Sequence, residues 1–248
     1  MAVMIVTGAG RGIGAATARL AAKNGWDVCV NYLRDGNAAE QVADDVRMAG
    51  RRALTVQADI ADEEAIVRMF SAVDAGLGRP SALVNNAAMT GSGRRRVDQM
   101  TAAAVNAILA ANVTGSIVCA REAILRMSTR HGGQGGVIVN VSSVAARLGS
   151  PGLWMDYAAS KGAIDTLTFG LAAEVAEEGI RVNAVRPGLI DTDIHAVMGM
   201  PERAQRGAKF IPMKRAGSAI EVAEAIIWLA SPAASYVSGA TIDVAGAR

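Results

Sequence analysis

A doubly wound α/β domain, one parallel sheet of about seven strands with helices on both faces, is the fold class that three features of the sequence predict. Short β-branched runs alternate with Ala-rich helical stretches along the whole chain. Several strand-like runs are apolar at nearly every position, as expected where helices cover both faces of a parallel sheet. A glycine-rich turn at residues 6–16, "VTGAGRGIGAA", joins the first strand to the first helix.

The elements follow in order. Strands are expected at 2–7 ("AVMIVT"), 27–32 ("DVCVNY"), 53–57 ("ALTVQ"), 82–86 ("ALVNN"), 136–142 ("GVIVNVS"), 180–186 ("IRVNAVR") and 240–244 ("ATIDV"). Helical patterns fall between them, near 13–24, 37–49, 62–76, 98–128, 154–177 and 219–230. No linker, low-complexity segment or fixed-period repeat breaks the alternation, so residues 1–248 are expected to form one domain. The rhythm weakens only over 187–218, which carries three prolines. An insertion there, around 189–215, suits a lid over a site at the carboxyl ends of the strands.

Composition narrows the function. With 51% hydrophobic and 19% charged residues among 248, there is ample material for a core. A net charge of +2 is too small for a nucleic-acid footprint. Cys29 and Cys119 lie in apolar segments with neither CxxC spacing nor a histidine cluster, which argues against disulfides and against a metal site. The opening "MAVMIVTGAG" is too short for a signal peptide, and no uninterrupted apolar run approaches the roughly 18–20 residues of a membrane span. A soluble, cytoplasmic protein with no membrane partner is the expectation.

Gly8, Gly10, Gly12 and Gly14 remove every second Cβ from the turn, so backbone can approach a ligand closely. The N–H groups at the following helix start favour a pyrophosphate. G-x-G-x-x-G does not fit from Gly8, because Ile13 occupies the third glycine position. At the end of the second strand, Tyr32 stands where an acid would bind ribose hydroxyls, and Arg34 follows. Arg34 and Arg11 suit the 2′-phosphate of NADP, while nearby Asp35 leaves NAD open.

Tyr157 and Lys161, in "MDYAASKGA", are one helical turn apart on one face. A free phenol, with a pKa of about 10, exchanges protons poorly near neutrality; a nearby ammonium in a partly dry pocket favours its phenolate. Upstream, the strand "VIVNVSS" ends in Ser142 and Ser143, at the end of such a sheet where ligands bind.

With these pieces in sequence order, the chain resembles the short-chain dehydrogenase/reductase family from Val3 to the C-terminus. The landmarks are "TGAGRGIG" (7–14), "ADI" (58–60), "NNAA" (85–88), "AANVTGS" (110–116), "VNVSS" (139–143), "YAASK" (157–161), "RVNAVRPG" (181–188) and "YVSGATIDV" (236–244). The resemblance implies a Rossmann-like fold and an NAD(P)-dependent enzyme interconverting a carbonyl and a secondary alcohol. Tyr157 would be the acid/base, and Lys161 would lower its pKa and bind the nicotinamide ribose. Ser143 would polarise the substrate oxygen, and Asn112 would hold a water linking Lys161 to solvent. The cofactor would lie along Gly8, Arg11, Gly12, Ile13, Gly14, Tyr32 and Arg34, with Asp59 and Ile60 at the adenine. Asn86 and Ala87 would line it near the ribose, and Pro187, Gly188, Ile190 and Thr192 would sit near the nicotinamide. Asn112 also suits a helix cap or kink, and Thr192 and Asp59 suit helix caps. A homotetramer (or homodimer), using the helices near 98–128 and 154–177 and the last strand, is implied as well.

Two departures stand out. Ser143 lies fourteen residues before Tyr157, where the family commonly has thirteen and Val144 holds the usual offset; Ser142 is the alternative. Ala88 replaces a frequent glycine. Met198, Met200, Phe210, Ile211, Met213 and Trp154 suggest an apolar mouth or plain packing. Arg94, Arg95 and Arg96 suit either an anionic substrate or a solvated loop, and His195 either lines the lid or is exposed. NADP-dependent carbonyl/alcohol exchange on a small molecule is the leading reading. An NAD-dependent dehydrogenase, a dehydratase or epimerase, and a non-catalytic nucleotide-binding protein are the alternatives.

Overall fold

The computed structural model describes residues 2–91, 93, 95–192, 200 and 202–248. Its main sheet contains β1 (Val3–Val6), β2 (Asp27–Tyr32), β3 (Ala53–Gln57), β4 (Ala82–Asn85), β5 (Gly136–Val141), β6 (Ile180–Pro187) and β9 (Thr241–Val244). The strand order is β3-β2-β1-β4-β5-β6-β9, and every pairing is parallel. A second, two-stranded ladder pairs β7 (Ile190–Asp191) with β8 (Gly217–Ser218).

The apolar strands serve two cores at once, because successive side chains point to opposite faces. Met4, Val6, Val28, Val30, Val84 and Val139 face one side. They meet buried residues of α1 (Gly12–Lys23), α2 (Gly36–Met48) and α9 (Ala219–Ala230). Val3, Ile5, Cys29, Leu83, Ile138 and Val182 face the other side. There they meet α3 (Glu63–Gly76), α5 (Gly115–Met127) and α7 (Met155–Val175). Each fully buried Ile, Leu or Phe side chain contributes about 1.5–3 kcal/mol of apolar transfer.

Local chemistry sets the helix starts. Asp35 accepts from the Ala38 N–H to cap α2, and Asp62 accepts from Glu64 and Ala65 to cap α3. Ser218 and Glu221 form a reciprocal capping box on α9.

The single helix expected over 98–128 is corrected. A short 3-10 turn at Val97–Gln99 comes first. The Thr101 hydroxyl then caps α4 (Ala102–Leu109) by accepting from Ala104 N at 3.2 Å. Ala110–Thr114 forms a π turn before α5 begins at Gly115. Side chains hold that turn open. Ser116 Oγ donates to the Asn112 carbonyl at 2.8 Å, and the Asn112 carboxamide is bonded outward to Met89.

Ala102–Met127 is long and apolar enough by length and composition to cross a membrane, which a count of uninterrupted apolar residues misses. In this fold it lies against the sheet, with Cys119 and Ala123 in the core, and Arg121, Glu122 and Arg126 in ion pairs.

α6 (Ala145–Leu148) and α8 (Arg203–Ala208) are short helices absent from the sequence expectation. Residues 193–199 and 201 of the expected lid, with His195 and Met198, lie outside the described residues, as does Arg94. Among the lid positions that are described, Ile211 is buried beneath Gly246, while Phe210 and Met213 are exposed.

β1 lies between β2 and β4, so chain connections diverge on its two sides and leave a crevice at the strands' carboxyl ends. α5 borders that crevice, and its first residue is packed on backbone: a Cβ at Gly115 would overlap the Ile60 carbonyl. Gly115→Ala should therefore lower stability by about 1–3 kcal/mol, read as a shifted urea midpoint; an unchanged midpoint would refute this close packing.

Candidate active site

The glycine turn is shaped by sterics. Gly8 and Gly12 have φ of +63° and +55°, in the left-handed region. A Cβ at Gly14 would stand 2.5 Å from Asn86 Nδ2 and closer still to the Gly8 carbonyl. Gly10 differs, since a Cβ there would make only ordinary contact with Ala39.

Two asparagines and a threonine brace the turn. Asn31 Oδ1 accepts from Gly8 N at 3.1 Å, while its Nδ2 donates to the carbonyls of Val56 and Ala58. Asn86 Nδ2 donates to the carbonyls of Thr7 and Gly8 at 2.8 and 3.1 Å. Thr7 Oγ1 accepts from Asn86 N and Ala87 N at 3.0 Å. Asn86, expected to line the ribose, thus commits its carboxamide to the turn. Asn31 escaped the sequence reading, because a lone asparagine in an apolar strand carries no distinguishing pattern.

The other expected cofactor residues surround this cradle. Thr192 lies 3.6 Å from the position of a Gly12 Cβ, which sets this residue against the turn. Arg11 and Arg34 are exposed, and neither side chain has an ion-pair or hydrogen-bond partner among the described residues. The Asp35 carboxylate is engaged by the Ala38 N–H at 3.0 Å. Tyr32 packs its ring over Gly36. Asp59 closes its own turn by accepting from Ala61 N, and Ile60 is buried behind it. Pro187 ends β6, where its carbonyl accepts from Val144 N. Gly188 can carry no side chain, because a Cβ would lie 2.8 Å from Ala245 Cα. Ile13 packs on the first core, and Ile190 is buried in the β7–β8 ladder.

At the ends of β5 and β6, α7 brings the reactive groups together. Lys161 is 3% exposed, and its Nζ donates to the Val141 carbonyl at 2.7 Å. Burial pulls its pKa down to about 8, against the opposing pull of Asp165 one turn further on. Asp165 is itself gripped by Arg186 at 2.9 Å. Lys161 Nζ sits 5.6 Å from the Tyr157 ring centre.

Burial also moves Tyr157, raising its pKa above the usual phenol value; a hydrogen bond with Ser143 and the charge of Arg203 pull the other way. Burial prevails. Of the two serines, Ser143 is the one whose influence lowers the pKa of the phenol, whereas buried Ser142 donates to the Lys161 carbonyl at 3.2 Å. The loop between α6 and α7 accommodates the fourteen-residue spacing, with Gly149, Ser150 and Gly152 all at positive φ.

Asn112 is buried in the π turn. Its Oδ1 accepts from Met89 N at 2.7 Å, and its Nδ2 donates to Met89 O at 2.8 Å and Ser160 Oγ at 2.9 Å. Ser160 in turn donates to the Tyr157 carbonyl at 2.7 Å. Beneath this contact a buried chain crosses the sheet. Asn85 Nδ2 donates to the Ser116 carbonyl and to Asn140 Oδ1, and Asn140 Nδ2 donates to Thr168 Oγ1.

Asp156 also escaped the sequence reading. Its buried carboxylate binds Arg95 Nη2 at 2.8 Å and accepts from Tyr157 N at 2.9 Å. Arg95 is thus neither solvated nor free for an anion, whereas Arg96 pairs with Asp98 at the surface.

Comparison with known proteins agrees with this arrangement. Residues 8–246 match the family model described as Enoyl-(Acyl carrier protein) reductase. The chain is 54% identical, over the full length of both proteins, to the "Uncharacterized oxidoreductase YgfF" of Escherichia coli K12. It is 38% identical to the cis-4-hydroxycyclohexanecarboxylate dehydrogenase of Sinomonas cyclohexanicum, covering 98% of this chain and 95% of the relative. The fold superposes with a TM-score of 0.88 on a Burkholderia cenocepacia short chain dehydrogenase solved in complex with NADP, at 33% identity and covering 98% of this chain and 96% of that one. The glycine cradle, the Ser143–Tyr157–Lys161 cluster and these likenesses together make this chain a member of the short-chain dehydrogenase/reductase family of NAD(P)-dependent oxidoreductases.

Proposed function

We propose that this protein is an NADP-dependent oxidoreductase that interconverts a secondary alcohol and a carbonyl on a small molecule, with Tyr157 as its acid/base. The observation that carries this reading is the buried Lys161 ammonium, held on the Val141 carbonyl one helical turn from Tyr157 and 5.6 Å from its ring centre.

The cofactor fits the residues present. The left-handed Gly8 and Gly12 and the side-chain-free Gly14 leave backbone open to a pyrophosphate. Arg11 and Arg34, unpaired among the described residues, suit a 2′-phosphate, and Asp35 is occupied as a helix cap. The NADP-bound neighbour supports the same preference.

The bound nicotinamide would supply a hydride to the carbonyl carbon, or accept one from the alcohol. The protein's own groups handle the oxygen. Ser143 donates a hydrogen bond to it, and Tyr157 delivers the proton during reduction and removes it during oxidation. As Tyr157 gives up its proton, charge develops beside Lys161, whose ammonium Val141 holds in place. Asn112 acts as a positioning residue, fixing through Ser160 the helical turn that carries Tyr157.

The domain acts as one dinucleotide-binding and catalytic unit. Leu109, Ile117, Leu125 and Phe169, exposed on α4, α5 and α7, support assembly as a homotetramer or homodimer. The buried free thiols of Cys29 and Cys119 suit a reducing compartment such as the cytoplasm.

Tyr157→Phe should lower turnover by at least about 100-fold while NADPH affinity, measured by fluorescence titration, stays nearly the same. Undiminished turnover would remove Tyr157 from the acid/base role. Replacing Arg11 and Arg34 together by alanine should weaken NADP binding by about tenfold or more and leave NAD binding little changed; equal losses would refute the 2′-phosphate contact.

Lys161 yields a pH test. Its folded-state pKa of about 8 lies below its ordinary 10.5, so between these values the unfolded chain binds more protons. Wild-type stability should therefore gain across that window as pH rises, and Lys161→Met should lack the gain. Urea denaturation at pH values below and above the window should show the variant losing ground to wild type; a pH-independent difference would contradict the shifted lysine.

A further inference from the structure

We propose that Arg203 selects the substrate, and that the carbonyl or alcohol it presents to Tyr157 carries a carboxylate near the reacting carbon. This rests on the redox reading above and adds the substrate's charge to it.

Arg203 opens α8, and its guanidinium lies 4.3 Å from the centre of the Trp154 ring. Trp154 is buried, and its Nε1 donates to the Gly93 carbonyl at 2.7 Å, so this platform is fixed. Trp154 also stands at the N-terminal boundary of α7, three residues before Tyr157, where its carbonyl accepts from the Ala158 N–H at 2.9 Å. The charge of Arg203 acts on the Tyr157 hydroxyl, and Tyr157 acts back on Arg203.

Among the described residues, the other partly buried arginines have oxygen partners. Arg51 and Arg52 share Asp27, Arg95 holds Asp156, and Arg126 holds Glu122 and Asp74. Arg186 holds Asp165 and Asp243, and Arg181 donates to two backbone carbonyls. Arg203 is half-buried, and its side chain has neither hydrogen bond nor ion pair among the described residues. The guanidinium of Arg248 adds a second positive charge close by.

A cation partly removed from water without a counter-charge is unfavourable unless a ligand brings one. A guanidinium stacked on an indole keeps its N–H edge free, and that planar fork matches a carboxylate in bidentate fashion. Beside a phenol that handles the carbonyl oxygen, such a fork orients an oxo acid or hydroxy acid by its carboxylate.

The test compares a chain-length series of oxo carboxylic acids with their methyl esters, using NADPH and, in parallel, NADH. For at least one acid, wild-type kcat/KM should exceed that of its ester by about tenfold or more. Arg203→Gln should erase this preference, raising KM for the acid by about tenfold or more while any change in kcat is shared by acid and ester, and Arg203→Lys should retain part of it. Independently of turnover, the acid should raise the melting temperature of the wild-type NADP complex, and should not do so in Arg203→Gln. Acids and esters handled alike by wild type, or Arg203→Gln slowing both equally, would overturn the inference and leave Arg203 as an electrostatic neighbour of Tyr157. Turnover of neutral ketones with none of acids overturns it while the redox reading stands. If no carbonyl, charged or neutral, consumes either reduced cofactor, the redox reading fails and the substrate assignment falls with it.

Discussion

The hydrogen bond from the Lys161 ammonium to the Val141 carbonyl organises the catalytic end of this molecule. It ties α7 to the carboxyl end of β5 through a cation removed from water, whose burial is tolerated because the partner is fixed backbone. Since Tyr157 lies one turn away on the same helix, fixing Lys161 also fixes the phenol. Ser143, two residues beyond Val141, follows the same strand end and exerts its pull on the phenol from there. The groups proposed to react thus inherit the rigidity of the sheet.

Polar contacts buried between the helices extend this rigidity sideways. The Asn85–Asn140–Thr168 chain links β4, β5 and α7, and its contact with the Ser116 carbonyl brings in α5. Each donor and acceptor in it is buried, so a partly satisfied version would cost more than an apolar replacement. Asn112 and Ser160 add a second tie near Tyr157, and Asp156 a third through its bond to the Tyr157 N–H. The first turn of α7 is held by polar ties, while its last turns pack Ala172 and Val175 onto the second core.

Much of this was legible in the sequence, and the physical reasons differ by element. The strands read clearly because burial on both faces leaves no room for polar alternation. The cradle read clearly because a Cβ at Gly14 is sterically forbidden, and forbidden positions leave a residue-level mark. Long-range pairing leaves none: nothing near Arg95 signals that a carboxylate sixty-one positions away will neutralise it. The same holds for Arg203, whose stacking on Trp154 joins two segments with no shared pattern. Asp35 illustrates a third limit. Its presence near the cofactor was readable, but its side chain's choice of the Ala38 N–H depends on where the helix begins. The interruption of the long helix was hidden by its composition, since apolar density over 102–127 outweighs the signal of one widened turn.

That widened turn sets the orientation of everything after it. An α-helix advances by about 100° per residue, so one extra residue accommodated in a π turn rotates the following segment by about that angle relative to an unbroken helix. α4 and α5 therefore expose different meridians of what looks like one rod. Asn112, at the phase break, is aimed inward, while Cys119 and Ala123 beyond it are re-aimed onto the sheet. A single-residue deletion within Ala110–Thr114 would undo both alignments together, which makes the length of this segment as constrained as any side chain in it.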